Sequence, residues 1–160
     1  MASIIGVETL QHTNGTTAAE ISSGGVITTP KRPYWRVQGN GDRVTSTGIV
    51  TWNGTLAFEQ GSGWDSTGKQ EYTIPVAGLW HFEVMMFANG TNHLLAHIEV
   101  NSNRKAHGQV NSTSNGSSDE GMNISLIYEC AVNDVIRVKN ATGQYHLNAE
   151  TSFFSGYLIG

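Results

Sequence analysis

The side chains able to bind a metal or move a proton are few and scattered. His93 and His97 form an H-x-x-x-H pair, which on a helix would put two imidazoles on one face, but the glutamate of the H-E-x-x-H zinc signature is missing. On a strand, four residues span about 13 Å, too far for both rings to reach one ion. One histidine repeated about a three-fold axis is the arrangement that would still make a site. Asp119 and Glu120 are adjacent carboxylates, yet calcium takes about six to eight oxygens, more than two residues supply. Cys130 is the single cysteine, so no intramolecular disulfide can form. Its place in the apolar row of "NISLIYECAV" predicts a small buried hydrophobe.

Phosphate and nucleophile chemistry find no better footing. "GNGD" and "GSGWDSTG" are glycine-rich, but neither follows a strand to open a helix, as a phosphate-binding loop must, so both are expected to be turns. No G-x-S-x-G elbow is present, and serine is too abundant for its coexistence with His and Asp to mean a triad. An enzyme is not expected. Seven N-x-S/T sequons, starting at Asn14, are unsurprising in a chain rich in Asn, Ser and Thr. The remaining recognition candidates are Trp64, in a turn, and Tyr145 with His146, ahead of the last strands. Each could stack on a sugar face or fill a partner's pocket, with packing in a core or a subunit interface as the alternative.

The elements that position these residues follow from composition and period. The chain has 160 residues, 14% of them charged, and a net charge of -4. Its nine Lys and Arg are dispersed, so nucleic acid is not an expected partner. No apolar run approaches the roughly 18 residues of a membrane span, and "MASIIGVETL" lacks a basic n-region, so neither classical secretion nor membrane insertion is expected. Even positions from Tyr72 to Met86 are apolar or glycine while the odd ones include Glu71, Thr73, His81 and Glu83, the period of a strand. Pro75 and Gly78 interrupt it, which predicts a hairpin between "QEYTI" and "LWHFEVMMFA". "LLAHIEVN" and "NISLIYECAV" alternate likewise, with "NSNRKAHGQVNSTSNGSSDEG" expected as a polar loop between them. Asn133 and Asp134 turn the chain into "VIRVKN", and the apolar "FFSGYLIG" is expected to be paired inside a sheet. Eight to ten strands between Arg32 and Gly160 predict an all-β sandwich. Residues 1 to 30 could form a meander with turns at Asn14-Gly15 and Gly24-Gly25, but too poor in apolar residues for a core of its own.

The order "GWDSTGKQEYTIPVAGLWHFEV", the Asn133-Asp134 turn into "VIRV" and the closing "FSGYLI" resemble the globular C1q domain of the C1q and tumour necrosis factor superfamily, over about residues 33 to 160. The resemblance implies a ten-stranded jelly roll that assembles as a homotrimer. It also implies core or trimer-interface roles for Tyr72, Trp80, Phe82, Phe154 and Tyr157. Some C1q-like heads carry an apex calcium site, which here would draw on Asp119 and Glu120; no other cofactor is implied. Residues 1–32 stand apart as an attachment segment. "TLQHTNGTTA", "SSGGVITTP" and the following "RP" resemble segments that precede globular heads in phage tail-fibre and other virion proteins. The expectation is therefore a phage virion surface protein, made in the host cytoplasm, which needs neither export signal nor disulfide. Its trimeric head would attach to a host glycan or protein, and residues 1 to 30 would contact other virion proteins. A capsid decoration trimer is the first alternative. A cellular C1q-like ligand-binding protein, which would call for a signal sequence or collagen stalk, is the second.

Overall fold

The computed structural model describes residues 8–11, 17–29, 32–89, 93–112 and 120–160. The chain forms two compact units, Met1–Arg32 and Pro33–Gly160. In the first, β1 (Thr9–Gln11), β2 (Thr17–Ile21) and β3 (Ile27–Thr28) make an antiparallel sheet in chain order. Gly25, at a φ of 77°, turns β2 into β3, and Ser22 closes the turn by accepting from the Val26 N–H at 3.1 Å. Leu10 lies opposite Ala19 and Ile21 opposite Ile27. Of these, Ala19 is buried, whereas Leu10 and Ile27 keep 54% and 67% of their surface exposed. Three strands this short have too little apolar area to enclose a core. The Asn14-Gly15 turn lies outside the described residues.

The second unit contains β4 (Tyr34–Gln38), β5 (Asp42–Val44), β6 (Gly48–Ile49), β7 (Leu56–Gln60), β8 (Glu71–Thr73), β9 (Gly78–Ala88), β10 (His93–Val100), β11 (Asn103–Asn111), β12 (Gly121–Cys130), β13 (Val135–Thr142), β14 (Tyr145–Leu147) and β15 (Phe153–Leu158). That is a jelly roll with its shorter strands broken into pieces of two or three residues, hence more segments than the ten expected. A seven-stranded sheet runs β5-β14-β9-β15-β4-β7, with β12 on the other edge of β9. A five-stranded sheet runs β11-β10-β13-β6, with β8 also on β13. The described strand pairs are antiparallel, so each sheet turns one face inward and one outward. Even residues of β9, β10 and β13 face inward: Trp80, Phe82, Val84, Leu94, Ile98, Ile136 and Val138 are all buried. The terminal β15 is central, paired with β4 and β9.

Aromatic rings fill the centre of the sandwich. Trp35 stacks on Tyr72 with ring centroids 3.6 Å apart and meets Phe154 edge to face at 5.5 Å. Gly156 makes room for it. A Cβ there would lie 2.2 Å from the Trp35 ring.

Two expectations are corrected. "QEYTI" and "LWHFEVMMFA" are not a hairpin, because β8 pairs with β13 in one sheet and β9 with β12 and β15 in the other. Pro75 has no N–H to continue a ladder, and Gly78, at a φ of 148°, sits so close to the carboxy-terminal strand that a Cβ would meet the Gly160 oxygen at 2.7 Å. The chain therefore arches between sheets at this point. Even residues on both sides still share one core because the two inner faces enclose it. Residues 103–111, expected in a polar loop, are β11, an edge strand paired with β10 along its length. Its polar residues fit an edge exposed on one side, while Ala106 and Val110 pack against the core. The hairpin that makes it has two central residues, Asn101 and Ser102, at φ values of 50° and 67°, the backbone of a type I′ turn.

Candidate functional site: two outward sheet faces

The recognition candidates do not converge. Tyr145 is 3% exposed, opposite Val44 and Ala88, so of its two readings, recognition or packing, its ring takes the second and belongs to the core. Burial, with the Asp42 charge second, pushes its hydroxyl up to about 12. Trp64 bridges to Tyr72 and meets Phe154 edge to face, half-buried against the core. His146 is half-buried opposite Arg43 and Phe87. Glu120 is half-buried, with its carbonyl accepting from the Ala88 N–H at 3.0 Å; Asp119 lies outside the described residues. Among the described residues, no three His, Cys, Asp or Glu side chains gather as a metal site. Cys130 is buried, and that burial, with Asp134 nearby, pushes its thiol up to about 12.

Tyr72, Trp80, Phe82 and Phe154 are wholly buried within a single chain, so they make its core. Tyr157 differs. It is 47% exposed on the outer face of the seven-stranded sheet, at the centre of a patch that strand register assembles. Ile127 of β12, His81 of β9, Tyr157 of β15 and Tyr34 of β4 lie side by side across four strands. Phe58 of β7 meets Tyr34 edge to face at 5.5 Å. His81 is tilted against Tyr157 at 5.1 Å, and its Nε2 lies 2.9 Å from the Ser125 hydroxyl. Arg36 covers the Phe153 ring at 4.0 Å, and Asn123 donates to the Glu83 carboxylate at 3.0 Å. Tyr34, Phe58, Leu79, Ile127 and Tyr157 all remain exposed. An outward sheet face is ordinarily polar, and a contiguous apolar one marks an interaction surface.

The five-stranded sheet turns out the opposite chemistry. Arg104, Glu99, Arg137 and Glu71 face one another across four strands with alternating sign. Glu99 is buried and holds Arg137 at 3.0 Å and Lys139 at 3.8 Å. In the next row stand His107, His97 and Lys139. Burial first, then the Arg104 charge, lowers the His97 imidazole from its ordinary value, with Glu99 pulling the other way. In sequence this row is masked by the polar composition of residues 101–121. The alternation of Ala106, Gly108 and Val110 with His107 and Gln109 was the signal that could have revealed it.

No protein-family profile and no curated protein matches the chain. Solved structures do. The globular domain of zebrafish complement 1qA protein superposes with a TM-score of 0.60 at 14% identity, covering 81% of this chain and 98% of that one. Murine APRIL at pH 5.0 gives 0.64 at 12% identity, covering 81% and 100%, and Eiger TNF from S. frugiperda gives 0.59 at 12%, covering 81% and 94%. The second unit thus has the jelly-roll fold of the C1q and tumour necrosis factor globular domains.

Proposed function

We propose that this chain is the trimeric head of a virion surface protein, a binding and assembly module and not an enzyme. Three heads associate through the outer face of the seven-stranded sheet, residues 1–32 attach them to the particle, and the outer surfaces meet the host. The carrying observation is that exposed apolar face around Tyr157, on a fold that it shares with C1q and tumour necrosis factor domains. The bare apolar face of the amino-terminal sheet, with Leu10 and Ile27 exposed, supports a segment that packs on something else. The phage setting rests on the resemblance of residues 1 to 30 to segments that precede heads in virion proteins. Fold alone does not supply it.

Light scattering on a sizing column, with the full chain and a chain starting at Pro33, tests the assembly. Both are expected at three times their chain mass, 17.3 kDa for the full chain. Monomers from both would sink the reading, and a monomer from the shortened chain alone would move the assembling role to residues 1–32. The role on a particle is separated by deleting the gene product from the phage. Lost adsorption with an unchanged capsid is expected of an attachment head, whereas lost capsid heat resistance would mean a decoration trimer.

A further inference from the structure

The histidine pair that sequence spacing offers, His93 and His97, is not the pair that register brings together. His97 of β10 lies directly opposite His107 of β11. Directly opposed residues have their Cβ atoms about 4.5–5.5 Å apart, against about 13 Å for i and i+4 on one strand. The two rings stand edge to face at 87°, their centroids 6.5 Å apart. The Nε2 of His97 is buried and makes no hydrogen bond.

From this geometry we infer that His97 and His107 together form a two-imidazole site for a divalent transition metal of the copper, nickel and zinc class. Imidazole nitrogen suits these metals and not calcium or magnesium. Two rings bonded to one ion at a tetrahedral angle have centroids about 5 Å apart. A side-chain rotation at His107, which is exposed on an edge strand, supplies the difference. The surrounding charges nearly balance, with one positive charge left over, so the ion is held by its bonds to imidazole nitrogen and not by the local field. Arg104 faces Glu99, Glu99 holds Arg137 and Lys139, and Glu71 faces Arg137. Water, or donors of a bound ligand, fill the remaining coordination positions. The site lies on the five-stranded sheet, on the opposite side of the sandwich from the face proposed to join heads.

The test is a titration of the untagged full chain with zinc chloride, followed by the ring C–H resonances of all histidines, with copper(II) as a paramagnetic second probe. At one equivalent, the resonances of His97 and His107 are expected to shift together while those of His81 and His146 stay in place. Copper is expected to compete zinc away, following the usual order of affinities. His107→Gln, an exposed edge substitution, and His97→Gln should each lose the response of the partner ring. No shift at ten equivalents, a shift of only one ring of the pair, or binding that survives both substitutions would overturn the site. Circular dichroism of each variant separates lost binding from lost folding, and His107→Gln remains decisive if His97→Gln does not fold.

Discussion

Gly156 is where a missing side chain matters most. It faces Trp35 across β4 and Phe82 across β9, and a Cβ would stand 2.2 Å from one ring and 2.9 Å from the other. Neither ring can step aside, since Trp35 is already stacked on Tyr72 and set edge-on to Phe154. Gly156→Ala should therefore destabilise the head by about 1–3 kcal/mol through overpacking, read as a lowered urea midpoint. A gain in stability would mean that the Trp35 stack is looser than its geometry. His97 gives a second residue-scale outcome. Its imidazole is held below the ordinary value mainly by burial, so the folded chain resists a proton that the unfolded chain accepts. The linkage then has one sign. His97 favours the fold fully above about pH 6.5, and that contribution is lost as pH falls through the lower folded value. With chelator present, the wild-type urea midpoint should fall between pH 7.5 and 5.5 by more than that of His97→Gln; equal falls would remove His97 as the cause.

Among the elements, β10 and β13 carry the charge ladder that holds the outer face of the five-stranded sheet. Glu99 has 5% of its side chain exposed and two cations within reach, Arg137 at 24% exposure and Lys139 at 46%. Glu99→Gln would leave Arg137 half-buried without its carboxylate. Because both cations retain access to water, the cost falls below that of a fully buried pair, at about 1–2 kcal/mol. An unchanged thermal midpoint for Glu99→Gln would show that the ladder contributes nothing net. These strands also show what could be read in advance. The buried faces of β9 and β10 were legible because period two reports which side of a strand is apolar, whatever it pairs with. Pairing was not legible. The arch at Pro75 and Gly78 looks like a hairpin in one dimension because its partners, β12 and β13, come dozens of residues later. β11 was missed for a local reason. Its turn is Asn-Ser where Asn-Gly would announce two left-handed residues, and an exposed edge needs few apolar side chains. The histidine pair vanished with it, since His107 stands opposite His97 only if β11 exists.

At the scale of the whole molecule, the two outward faces of the head are unlike. One sheet displays a row of alternating charges beside a row of two imidazoles and a lysine. The other displays Tyr34, Phe58, Ile127 and Tyr157 to solvent, from four strands whose sequences hold one or two such residues each, so the patch exists only once the register is set. Exposed aromatic side chains that cluster on one face lower the free energy of whatever association covers them, and a closed ring of identical subunits covers them without leaving a free end. The variant Tyr157→Glu combined with Phe58→Glu should convert the proposed trimer into folded monomers, with the circular dichroism spectrum kept and the mass by light scattering reduced threefold. Both side chains are 47% exposed in the isolated head, so a charge at either site keeps access to water and should cost monomer stability only modestly, and loss of mass without loss of fold isolates the face as the contact. If the doubly charged variant stays trimeric, the heads are joined elsewhere; residues 1–32, whose own apolar face is bare, then become the assembling element, and the aromatic face is left for a partner.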